Sequence, residues 1–153
     1  MSDEKSLKYN EPWILQRADP YVYRHTDGSY YFTASVPAYD GIVLRRAGSL
    51  AELSGAEEVM IWKKYESGPM SYHIWAPEIH YLFGKWYIYF AGGEKEDIWK
   101  IRPYVLECSG DDPLTDEWVE LGKMKRAAED EFSFEAFSLD ATVFENKGEY
   151  YYV

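Results

Sequence analysis

Asp19-Pro20-Tyr21-Val22-Tyr23-Arg24-His25-Thr26-Asp27-Gly28-Ser29-Tyr30-Tyr31-Phe32 reads as an aromatic strand, a tight Asp-Gly turn and a second aromatic strand. Alternating large residues on either side of Asp-Gly are the signature of a β-hairpin. The pattern returns in Ala76-Pro77-Glu78-Ile79-His80-Tyr81-Leu82-Phe83-Gly84-Lys85-Trp86-Tyr87-Ile88-Tyr89-Phe90. It returns again in Asp140-Ala141-Thr142-Val143-Phe144-Glu145-Asn146-Lys147-Gly148-Glu149-Tyr150-Tyr151-Tyr152-Val153. The turn glycines Gly28, Gly84 and Gly148 lie about sixty residues apart, so the chain repeats one unit.

Working outward, Ile42-Val43-Leu44-Arg45-Arg46-Ala47-Gly48 echoes Tyr104-Val105-Leu106-Glu107-Cys108-Ser109-Gly110 as a third strand. Val59-Met60-Ile61-Trp62 and Trp118-Val119-Glu120-Leu121 follow as a fourth. The best helical stretch, Ser49 to Leu53, is only one or two turns long. The class is all-β, and radial repetition of four-stranded sheets is the β-propeller plan. The chain supplies about two and a half such blades: 14–65, 72–125 and the first hairpin of a third at 138–153. A lone half-ring exposes strand edges. A fragment of a longer protein is therefore the expectation, with a homo-oligomer completing the propeller as the alternative.

Composition narrows the partners. The 153 residues include six Trp, 15 Tyr and seven Phe, and the net charge is −11. That charge disfavours nucleic acid and anionic membrane surfaces. No apolar run is long enough to span a bilayer. The start, Met1-Ser2-Asp3-Glu4-Lys5, has no apolar core of a secretory signal, so a cytoplasmic location is expected. The single cysteine, Cys108, excludes an internal disulfide and reads as a small core residue. The aromatics suit either a β-rich core or a floor for sugar rings. No Gly-x-Ser-x-Gly elbow or phosphate loop occurs.

The repeat places Asp19, Ala76 and Asp140 at equivalent points, each opening a first strand beside the expected propeller axis. Two carboxylates from different blades, aimed at one spot, are the equipment of glycoside hydrolysis. The competing reading is that each Asp only turns the chain before its strand. Trp75 forms a pocket wall or packs in the core. Phe137 and Ser138 precede Asp140 and line the same pocket, or form an ordinary loop. Glu78 and His80 share a strand face, but no His-Glu-x-x-His pattern joins them to His73, so no metal site is expected. His25 sits in a turn and is expected in solvent. Glu129-Asp130-Glu131 reads as a solvated loop.

Arg17-Ala18-Asp19-Pro20-Tyr21-Val22, His73-Ile74-Trp75-Ala76-Pro77-Glu78-Ile79-His80 and Phe137-Ser138-Leu139-Asp140-Ala141-Thr142 resemble glycoside hydrolase family 43, and within it the α-L-arabinofuranosidases. The resemblance runs from about Trp13 to Val153 and covers the first half of the family's catalytic domain. It implies a five-bladed β-propeller that hydrolyses with inversion. Asp19 then matches the general base that deprotonates water. Asp140 matches the carboxylate that tunes the pKa of the acid, and Trp75, Glu78, Phe137 and Ser138 are candidate substrate contacts. The family's acid is a Glu in a Glu-Gly-Pro-like context, which is absent here. Glu78 belongs to the second unit's Trp-Ala-Pro-Glu motif and is not that acid. The implied substrates are arabinose- or xylose-containing oligosaccharides, with arabinofuranosyl groups removed from arabinan or arabinoxylan and β-xylosidase activity within the family's range. No cofactor is implied beyond a central cation in the complete propeller. The rival functions are a non-catalytic carbohydrate-binding propeller and a half-propeller that works only by assembly with another chain.

Overall fold

The structure, a computed structural model, describes residues 12–153; the Met1–Lys5 start lies outside them. The first sheet has strands β1 (Ala18–Arg24), β2 (Tyr30–Ser35), β3 (Gly41–Ala47) and β4 (Val59–Lys63), antiparallel and in chain order. A short 3₁₀ turn, Ala51–Ser54, stands between β3 and β4 where the brief helical stretch was expected. The second sheet repeats the plan with β5 (Tyr72–Leu82), β6 (Lys85–Glu94), β7 (Asp97–Cys108) and β8 (Val119–Lys123). A third hairpin, β9 (Val143–Asn146) and β10 (Glu149–Tyr152), closes the described chain.

The hairpin turns follow from their residues. Gly28, Gly84 and Gly148 have φ of 91°, 78° and 83°, a region that costs glycine nothing. Phe83 and Lys147, just before two of them, are also left-handed at 53° and 54°, as the tight turns of twisted hairpins require.

The two large sheets pack face against face. Tyr31, Ile42 and Leu44 of the first share one buried cluster with Ile74, Ile79, Trp86, Ile88, Phe90 and Leu106 of the second. Each fully buried Ile or Leu contributes about 1.5–3 kcal/mol. Cys108 is buried in the same cluster. The third hairpin lies on the second sheet through Phe83–Tyr150 and Tyr89–Tyr152, with ring centroids 4.7 and 5.4 Å apart.

His25 departs from expectation. Its ring lies 4.7 Å from that of Tyr81 and 4.8 Å from that of Trp86, and Nδ1 is buried without a partner. The turn that carries it is closed over by the neighbouring sheet, so the histidine packs between aromatics instead of standing in solvent.

Candidate active site

The three equivalent positions share an unusual backbone. Asp19, Ala76 and Asp140 all have positive φ, at 49°, 44° and 56°. Non-glycine residues rarely adopt this conformation, and strain of this kind collects at functional sites. In β1 the pairing skips from Ala18 to Tyr21, and in β5 from Trp75 to Glu78. Each bulge re-aims a side chain out of the ladder. Ala76 lies within β5 and Asp140 ahead of β9, so the repeat holds in conformation while the strand limits differ.

Asp19, Pro20, Tyr21, Ala76, Glu78 and Asp140 line one cavity of about 230 Å³. It draws on β1, β5 and the approach to β9, where all three sheets meet. The space is smaller than the roughly 300–1,000 Å³ of pockets for drug-sized ligands. A larger pocket of about 540 Å³ opens on the other side of Ala18 and Ser35, among Gln16, Val36 and Tyr39. No carboxylate stands in its wall, whereas Asp19, Glu78 and Asp140 line the smaller one.

Burial, then the charge of Asp19, pushes the Asp140 carboxyl above the ordinary carboxylate range. Two carboxylates that sense each other in this way resist ionising together. Asp19 Oδ2 accepts a hydrogen bond from Ser35 Oγ at 2.9 Å. Glu78 Oε2 accepts from Thr142 Oγ1 at 2.7 Å and lies 3.0 Å from His80 Nε2. Behind them, Tyr21 Oη lies 3.4 Å from His80 Nδ1. The Tyr21 hydroxyl is pushed up to about 12 by burial first and the Glu78 charge second. It therefore stays protonated near neutral pH.

The other expected contacts sit elsewhere. Trp75 adjoins Ala76, but its ring is packed 4.1 Å from that of His73 and 5.7 Å from that of Tyr39. Its Nε1 and His73 Nε2 are buried without partners. Burial, followed by the Lys64 charge, lowers the His73 pKa. Phe137 is 54% exposed and is not in the cavity wall. Ser138 lines a separate pocket with Phe134, Leu139 and Tyr152. Ser35 and Thr142 are the polar groups that sequence reasoning missed.

A central cation finds no ready donor set here. Among the described residues no group of three or more His, Cys, Asp or Glu side chains is arranged to hold a metal. Glu78 and His80 are already hydrogen-bonded to one another. No step is therefore assigned to a metal on these residues.

Bladed antiparallel sheets meeting at an acidic cavity define a propeller-type fold. Residues 9–153 match the family described as Glycosyl hydrolases family 43, and the chain belongs to that family. It is 51% identical over 143 residues to the extracellular exo-alpha-(1->5)-L-arabinofuranosidase of Streptomyces chartreusis, covering 94% of this chain and 42% of that protein. The crystal structure of alpha-L-arabinofuranosidase from Lactobacillus brevis superposes with a TM-score of 0.80 at 49% identity, over 92% of this chain and 44% of that one. The Cellvibrio cellulosa alpha-L-arabinanase shares the fold, with a TM-score of 0.59 at 15% identity over 90% of this chain and 44% of that one. The chain thus spans less than half the length of these relatives.

Proposed function

We propose that this chain carries the water-activating half of an inverting, exo-acting α-L-arabinofuranosidase. Its substrates are α-linked arabinofuranosyl groups on arabinan or arabinoxylan oligosaccharides. Asp19 takes a proton from the attacking water. Asp140, ionised beside the scissile bond, raises the pKa of the acid through its negative charge. The acid itself is a Glu from the part of the relatives that this chain does not match. Tyr21 and Glu78 flank the sugar, and the neutral ligand meets no penalty from the net charge of −11.

One observation carries this reading: Asp19 and Asp140 line the same sugar-sized cavity, where burial first and the Asp19 charge second raise the Asp140 pKa. The names of the 51% and 49% identical relatives supply the substrate class.

The test is hydrolysis of 4-nitrophenyl α-L-arabinofuranoside by the intact protein, with the anomer of released arabinose read by NMR before mutarotation. The expected product is the inverted anomer. Asp19→Asn is expected to lower kcat roughly 10²- to 10⁴-fold while sugar binding persists. 4-Nitrophenolate leaves without a proton, so turnover here does not depend on the acid, and binding without turnover in the unmodified protein would favour the carbohydrate-binding alternative and overturn the hydrolytic one.

A further inference from the structure

We infer that Ser35 is the positioning residue of Asp19: its hydroxyl determines which carboxylate oxygen remains free to take a proton from water. The inference rests on Asp19 being the general base.

Ser35 ends β2 and is 1% exposed, so water does not compete for its hydroxyl. Its Oγ has two partners. Ala76 N–H donates to it at 2.7 Å, and Asp19 Oδ2 lies 2.9 Å away. A backbone N–H can only donate, so the serine oxygen accepts there. Its single proton is left for the Asp19 carboxylate. The direction of both bonds follows from this chemistry. Asp19 Oδ2 is thereby occupied. Oδ1 has no hydrogen-bond partner among the described residues and is the oxygen that receives the water's proton.

The same serine replaces missing backbone support. Asp19 and Ala76 both fall in the gaps where ladder pairing is broken, and both are left-handed. One hydroxyl thus ties the first-sheet bulge to the second-sheet bulge. It holds a charged group by a hydrogen bond of the stronger, charge-assisted kind.

Ser35→Ala and Ser35→Thr in the intact protein test this on 4-nitrophenyl α-L-arabinofuranoside. Ser35→Ala is expected to lower kcat roughly ten- to a hundredfold with KM within about twofold, and Ser35→Thr to recover most of the loss. Exchange of the Ala76 amide, read by NMR, quickens in Ser35→Ala and not in Ser35→Thr. Should Ser35→Ala fail to fold, Ser35→Cys against Ser35→Thr carries the same comparison, because a thiol donates weakly. An unchanged kcat in Ser35→Ala, equal rates in the weak-donor and strong-donor variants, or a loss confined to KM would overturn the assignment. An active Asp19→Asn would overturn the base reading together with this one. An inactive Asp19→Asn beside a fully active Ser35→Ala would overturn this one alone.

Discussion

The hydroxyl of Thr142 donates to Glu78 Oε2 at 2.7 Å, and Thr142 is two residues beyond Asp140. One side-chain bond therefore ties the segment that presents Asp140 to the strand that presents Glu78. The backbone ladder of the third hairpin also reaches this point, through Thr142 and Val153. The acidic cavity is thus held across sheets by hydroxyls, Ser35 on one side and Thr142 on the other.

Thr142→Val keeps the shape of the side chain and removes the donor. Glu78 keeps His80 as a partner, so the expected cost is about 1–2 kcal/mol, read from urea denaturation. Thr142→Ser retains the hydroxyl and is expected to lose less than half of that. Equal losses in the two variants would show that the methyl group, not the bond, matters.

Glu58 braces the segment leading into β1. It is hydrogen-bonded by Arg17, two residues before Asp19, and by Arg45 Nε at 3.1 Å. Burial acts to raise the Glu58 pKa, but the two guanidinium groups outweigh it and hold the carboxyl below the ordinary range. A depressed carboxyl stabilises the fold above its unfolded pKa and loses that contribution as pH falls through the folded one. Glu58→Gln is therefore expected to cost about 1–3 kcal/mol near neutrality. Its difference from the unmodified protein shrinks as the solution is acidified below the ordinary glutamate range. Thermal denaturation across pH measures this, and a difference that grows on acidification would contradict it.

Trp86 is the largest fully buried side chain, ringed by Tyr23, His25, Tyr31 and Tyr81 with centroids 4.7–5.9 Å away. Trp86→Ala is expected to cost about 3–5 kcal/mol, a large share of the stability of an ordinary domain. Trp86→Phe keeps most of the packing and is expected to cost clearly less. Chemical denaturation of the two variants distinguishes this from a replaceable surface aromatic.

The hairpins were legible because local signals agree. Glycine marks each turn, and aromatic alternation marks each strand. The equivalence of Asp19, Ala76 and Asp140 was legible from the repeat alone. Their common left-handed backbone was not: Pro20 and Pro77 mark breaks in a ladder, but a residue before proline ordinarily stays extended, and Asp140-Ala141 carries no local signal. Ser35 was overlooked because Thr33-Ala34-Ser35-Val36 looks like any buried strand. Two hydroxyls spaced by two on an apolar strand were the available signal. His25 was misplaced because its turn reads as exposed, while Tyr81 and Trp86, which cover it, lie far along the chain. Phe137 and Ser138 adjoin Asp140 in sequence, yet the chain turns at Asp140 and leaves them outside the cavity.

Asp19 and Asp140 face one cavity, and the Asp19 charge adds to burial in raising the Asp140 pKa. Titration of the Asp140 side-chain carboxyl by ¹³C NMR, in the unmodified protein and in Asp19→Asn, tests it most directly. The expected Asp140 midpoint lies above the ordinary aspartate range and falls toward it when the Asp19 charge is removed. The same midpoint in both proteins, or one at the ordinary value throughout, would contradict it.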